Sequence, residues 1–221
     1  MNKIPFSVYD FFGYLAPGFV LLAAFDFSSD GGWLLRDNQS VAMVFFWIAV
    51  AYFIGHLIAH ISSILLEDVL VRRILTSPEV TLFIHRKTRW RYIFPGFYRQ
   101  LPPETAKRVL QKASQIEAHL QPGRGLFFHC HAIVKHQSAV LERLTTFLNL
   151  YGLCRNVSLS SFLAAGILGF GSYWSYAHCL NFWPKLYWSV AALILSFGML
   201  YRYLKFFRLY TVEVFVSYAE T

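Results

Sequence analysis

VAMVFFWIAVAYFIGHLIAHISSILL, residues 41–66, decides the fold class, because it runs its whole length without Lys, Arg, Asp or Glu. A helix needs about 20 mostly apolar residues to cross a hydrocarbon core, so this stretch reads as a membrane span. The rest of the chain agrees. Of its 221 residues 56% are hydrophobic and 14% charged, with 22 Phe, 13 Tyr and 6 Trp. An average soluble domain carries about 25% charge. A disordered tail, a disulfide scaffold and most ordinary water-soluble enzymes are excluded.

Three further apolar blocks flank that stretch. Phe11 to Phe25 is short and interrupted by Pro17-Gly18; Phe6 to Tyr9 extends it, with Asp10 placed near headgroups. It reads as a span, or as an interfacial or re-entrant segment if Pro-Gly breaks the helix. Val157 to Ala177 is rich in Gly, Ala and Ser, and Leu186 to Leu204 ends among Arg202, Lys205 and Arg208. Lys3 is the one basic residue at the N-terminus and no small-x-small site follows, so the first block reads as retained rather than cleaved.

Charge orients these blocks. Between Glu67 and Asn156 there are 14 Lys+Arg against 6 Asp+Glu, which is the entire +8 formal excess of the chain. The first connection carries Asp26, Asp30 and Asp37 against Arg36. The positive-inside rule puts the long segment and both termini in the cytoplasm. The expected fold is an all-α membrane protein with four transmembrane helices and a basic, mainly helical cytoplasmic domain between spans two and three. Residues 1–66 hold spans one and two, 67–156 the cytoplasmic domain, 157–208 spans three and four, and 209–221 a cytoplasmic tail. Cys130, Cys154 and Cys179 form no CxxC pair, and a reducing compartment argues against a structural disulfide.

Within the cytoplasmic segment Glu67 to Leu75 continues the second helix until Pro78 stops it. Glu79 to His85 and Arg89 to Phe94, separated by Arg86-Lys87-Thr88, read either as a β-hairpin or as an aromatic-basic flap on the anionic leaflet. Pro102-Pro103 opens a helix to about Leu120, and Gly125 to Asn156 reads as one long helix running unbroken into the third span. Leu209 to Tyr218 alternates in the manner of a strand, with extension of the last helix as the rival.

The residues that offer chemistry are few. His56 and His60, four apart, share a helix face with Glu67 two turns on, the pattern of a helical metal site. An HExxH hydrolase carries its Glu inside the motif, where this chain has apolar residues; the alternative is hydrogen bonding at the membrane boundary. His129, His131 and His136 around Cys130 form a second group. Arg124-x4-His129 has the spacing of the active-site motif of HEPN-type ribonucleases, although Gly125 replaces the usual polar residue. Arg86, Lys87, Arg89 and Arg91, interleaved with Trp90, are the best cluster for RNA, a nucleotide or anionic lipid, with lipid the simpler reading. Gly166 and Gly169, with Ala164, Ala165, Gly171 and Ser172, give the third span a small-residue face for packing or oligomerisation. No cofactor is implied.

Tyr9 to Gly18 (YDFFGYLAPG), Tyr52 to Ser63 (YFIGHLIAHISS) and Tyr151 to Ser158 (YGLCRNVS) resemble small bacterial four-span proteins. These are similar to membrane proteins encoded beside antiphage systems, including multi-span accessory proteins of type VI CRISPR loci. The resemblance implies a bacterial inner-membrane defence accessory that oligomerises and alters membrane permeability after a partner protein, RNA or nucleotide is sensed. A membrane-anchored scaffold, and a metal-dependent or HEPN-like hydrolase, are the rival expectations.

Overall fold

The computed structural model describes residues 8–34, 36, 39–116 and 120–221. Lys3, Phe6 and Asp37, used above, lie outside them. All regular structure among the described residues is helical. Three helices are long and apolar enough to cross a membrane, in Val41–Thr81, Ser138–Ala177 and Trp183–Glu220, and Phe12–Ser28 is a shorter apolar helix. The chain divides into two units: residues 1–65 with 152–200, and residues 66–151 with 201–221.

In the first unit α1 (Val8–Ser28) is one helix through Pro17. Asp26 ends it, its carboxylate accepting the N–H groups of Trp33 (2.7 Å) and Leu34 (3.2 Å). Ser40 caps α2 (Val41–Ser62), its hydroxyl accepting the Met43 N–H at 3.3 Å. The two helices cross antiparallel at glycines. A Cβ on Gly18 would lie 1.8 Å from the Ala51 carbonyl oxygen, and one on Gly55 1.7 Å from that of Tyr14. Only hydrogen fits at either point. Small residues four apart thereby let two backbones touch.

The middle of α7 (Ser138–Ala177) is the centre of this unit. It pairs antiparallel with α8 (Trp183–Glu220). Ser158 and Ser196 each donate to the other's carbonyl, at 3.0 and 2.9 Å, and Ser189 donates to Ala165 at 2.8 Å. Serines 158, 160, 161, 172 and 175 are buried, while Phe162, Phe170, Tyr173 and Trp174 on the same helix are exposed. That is the reverse of a water-soluble helix. At one end Lys185, 6% exposed, reaches Asp30 (2.7 Å) and Ser175 (3.2 Å).

A π-helix, Ser63–Leu75, carries the chain from the first unit into the second. Its wider turn explains a contact that an α-helix would not make. Arg72 pairs with both Asp68 and Glu67, the latter at 2.9 Å and five residues away. On an α-helix, residues five apart point about 140° apart. The core is formed by α5 (Pro103–Ile116), α6 (Arg124–Val134), the start of α7 and the end of α8, with Val109, Leu126, Cys130, Val134, Leu144, Val214 and Phe215 among its buried residues. Arg143 on α7 pairs with Glu213 on α8 at 2.7 Å.

Three sequence expectations are corrected here. No hairpin forms at 79–94: Pro78–Thr81 and Trp90–Ile93 are single helical turns, α3 and α4, and Leu82 and Phe83 pack inward instead of pairing. Leu209 to Tyr218 belongs to α8, not to a strand. The buried positions there, Thr211, Val214, Phe215 and Tyr218, follow the helical period, and packing overrides β propensity. The helix expected from Gly125 onward breaks at 135–137. Val134 and Val140 both face the core, yet on one continuous helix they would lie about 120° apart, so the break brings them into phase.

Gly55→Ala is expected to lower the unfolding free energy of the detergent-purified chain by about 1–3 kcal/mol through overpacking. Gly166→Ala, with nothing within 4 Å of its Cβ, should leave the transition unchanged. Thermal or SDS unfolding checks both.

Candidate functional site

Pro17 lacks an N–H, so the carbonyl four residues earlier, that of Gly13, has no intrahelical donor. Asn156 on α7 supplies one. Its Nδ2 donates to Gly13 O at 3.2 Å, and its Oδ1 accepts from the Ser62 hydroxyl of α2 at 2.7 Å. One turn on, Ser160 donates to the Pro17 carbonyl. Asn156 is 2% exposed and Ser62 fully buried. One amide therefore links α1, α2 and α7 and satisfies a buried polar group left open by Pro17.

His56 lies in the same unit, one face of its ring stacked on Tyr14 (4.0 Å, 16°) and its edge toward Tyr52 (4.5 Å, 79°). Residues from three separate stretches thus meet at this junction: Gly13, Tyr14 and Pro17 from the first, Tyr52, Gly55, His56 and Ser62 from the second, Asn156 from the third. Sequence reasoning placed Asn156 at the end of the cytoplasmic segment and missed it. Nothing local marked it, because the same helix also carries Glu142, Arg143, Asn149 and Arg155.

The expected site residues fall in several places. His60 is exposed on α2. Glu67 belongs to the second unit, where it pairs with Arg72. No group of three or more His, Cys, Asp or Glu side chains is close enough to hold a metal among the described residues. On α6 Arg124 lies over the Phe128 ring at 5.2 Å, while His129 faces Tyr218 edge-on at 5.9 Å with its Nε2 buried and without a hydrogen-bond partner among the described residues. The two do not converge within one chain. Arg86, Lys87, Arg89, Trp90 and Arg91 are all exposed. Gly169 packs against α8, its Cβ position 3.4 Å from Ser189 Oγ. Gly166 instead faces an open apolar pocket of about 700 Å³ beside Phe25, Leu163, Phe170 and Trp174.

Cys130 is fully buried, and burial pushes its thiol from 9.0 up to about 12, against smaller opposing effects of a backbone hydrogen bond and Lys112. Burial also raises Tyr218, helped by Cys130. Comparison with protein-family models, curated proteins and solved structures found no match to this chain.

Replacing Asn156 with Ala is expected to cost about 1–2 kcal/mol of unfolding free energy. Repeating it on Pro17→Ala, which restores an N–H for Gly13, should cost clearly less; a double-mutant cycle in detergent measures the difference. Between about pH 9 and 12 the unfolded chain has lost the Cys130 proton that the folded chain keeps. Stability then falls as pH rises. Unfolding at pH 8 and pH 10 should show that decline, and Cys130→Ala should reduce it, leaving the part due to Tyr98, Tyr210 and Tyr218, all raised by burial.

Proposed function

We propose that the chain is a four-span protein of the bacterial inner membrane, with both termini and the second unit on the cytoplasmic side. In this reading α1 is the fourth span, and the surplus of Lys and Arg between residues 67 and 156 sets the orientation. The protein acts as a non-catalytic effector or accessory, in the form implied by the resemblance to antiphage membrane proteins. Its helical domain receives a partner protein, RNA or nucleotide, and an oligomer of the spans then alters membrane permeability.

One observation carries the coupling. α7 and α8 each contribute to both units: α7 gives residues 138–151 to one and 152–177 to the other, and α8 passes between them at Leu200. A ligand that shifts the domain ends of these helices acts on the same two rods that carry Asn156, Ser158 and Ser196. The competing reading, an anchored scaffold that conducts nothing, draws support from the side chains exposed on the spans, which include Phe45, Phe53, Phe170, Trp188, Ile194 and Phe197.

A potential-sensitive dye in cells expressing the chain with its genomic neighbours distinguishes the two. The effector reading expects the potential to collapse under triggering conditions, and Leu144→Asp, in the domain core, to prevent it. An unchanged potential in triggered cells would overturn that reading and leave the scaffold.

A further inference from the structure

The segment from Val80 to Pro103 holds Arg86, Lys87, Arg89, Arg91 and Arg99 and no acidic residue. Its middle is an exposed turn. Arg86, Lys87, Arg89 and Arg91 all face solvent, and none has an ion-pair partner among the described residues. Arg91 contacts His85, a neutral or cationic neighbour that cannot offset its charge. Among and directly after these cations stand large apolar and aromatic side chains: Tyr92 is 90% exposed, Ile93 58% and Trp90 37%. In water such a surface would be a poor choice, since helix α4 buries none of its residues.

The attachment of this flap says what covers it. Phe94 packs on Tyr201 with ring centroids 6.2 Å apart, and Arg208 donates twice to the Arg99 carbonyl, at 3.1 and 2.8 Å. Tyr201 directly follows the apolar run of α8 that ends at Leu200, and Arg202 and Lys205, both exposed, come next along the helix. The flap is therefore tied to the turns of α8 at which the apolar run ends and the basic residues begin. Trp and Tyr favour that depth, and long cationic side chains reach phosphates from it.

We propose that residues 84–94, together with Arg202 and Lys205, form a binding site for the headgroups of anionic phospholipids in the leaflet where the apolar run of α8 ends. The phosphates take the guanidinium and ammonium groups, while Trp90, Tyr92 and Ile93 enter the boundary between headgroup and acyl chain. Each cation held near an anionic surface contributes about 1 kcal/mol, so four on one short flap make a strong preference over zwitterionic lipid. The inference needs only that α8 crosses a bilayer, and it stands whether or not the protein alters permeability.

The test places an environment-sensitive fluorophore on the full chain at Tyr92→Cys in a Cys179→Ser background, Cys130 and Cys154 being buried. The protein is reconstituted in nanodiscs of phosphatidylcholine alone or with phosphatidylglycerol, and quenching by neutral acrylamide is read. Phosphatidylglycerol is expected to reduce quenching about threefold or more, an effect removed by high salt and by the combined change R86Q/K87Q/R89Q/R91Q. Because these four side chains are exposed, the variant should keep its unfolding midpoint, which is measured alongside. Equal quenching in both lipids would overturn the proposal. So would protection that survives the quadruple change, or protection conferred by single-stranded RNA in phosphatidylcholine discs but not by phosphatidylglycerol.

Discussion

A proline in the interior of a helix leaves a carbonyl without its donor, and a carbonyl packed away from water must find another. In this chain the carbonyl is that of Gly13, and the replacement is the amide of Asn156, whose other end holds Ser62. The rest of the first unit is arranged around that bond. It fixes the height of α7 against α1, and Ser160 repeats the contact at Pro17 one turn further. With α7 placed, Ser158 meets Ser196 and Ser189 meets Ala165, which sets the height of α8. The glycine crossings at Gly18 and Gly55 bring α2 close enough for Ser62 to take part.

Water is the wrong solvent for this arrangement. Small and hydroxylated side chains are turned inward, and Phe, Tyr and Trp are turned out. Lipid tails are as apolar as a leucine, so burying leucine between spans gains little, and close backbone contact and hydrogen bonding do the work instead. The second unit follows the opposite rule. Its core is mainly Val, Leu, Phe and Cys, most of its charges lie outside or in pairs such as Arg143 with Glu213, the buried Glu79 being an exception, and α5 presents Val109 and Ala113 on one buried face. A single chain thus uses two packing rules, and α7 and α8 obey one over part of their length and the other over the remainder.

Much of this was legible from residues alone. The apolar blocks around Val41–Leu66 and Leu186–Leu204 gave their helices, since length and absence of charge are enough. The tail at 209–218 was misread because Val, Tyr and Thr favour strands locally, while the spacing Thr211, Val214, Phe215, Tyr218 was the better guide. The break at 135–137 carries no Gly or Pro and could not be seen; only the need to aim Val134 and Val140 at one core demands it. Among the site residues, the exposed basic flap was readable from composition. Asn156 was not, because a single amide has no pattern; its meaning depends on Pro17, 139 positions away in sequence and adjacent only once the helices pack.

Asn156 completes the hydrogen bonding that Pro17 interrupts. Gly13-Tyr14 is the sole Gly-Tyr step in the chain, so carbonyl-¹³C glycine with ¹⁵N tyrosine gives one nitrogen-edited carbonyl signal in a solid-state NMR spectrum of the protein in bilayers. That signal should sit at a hydrogen-bonded position in the native chain, move upfield in Asn156→Ala, and return in the Pro17→Ala/Asn156→Ala double variant. A Gly13 carbonyl that holds one position in all three proteins would contradict the account.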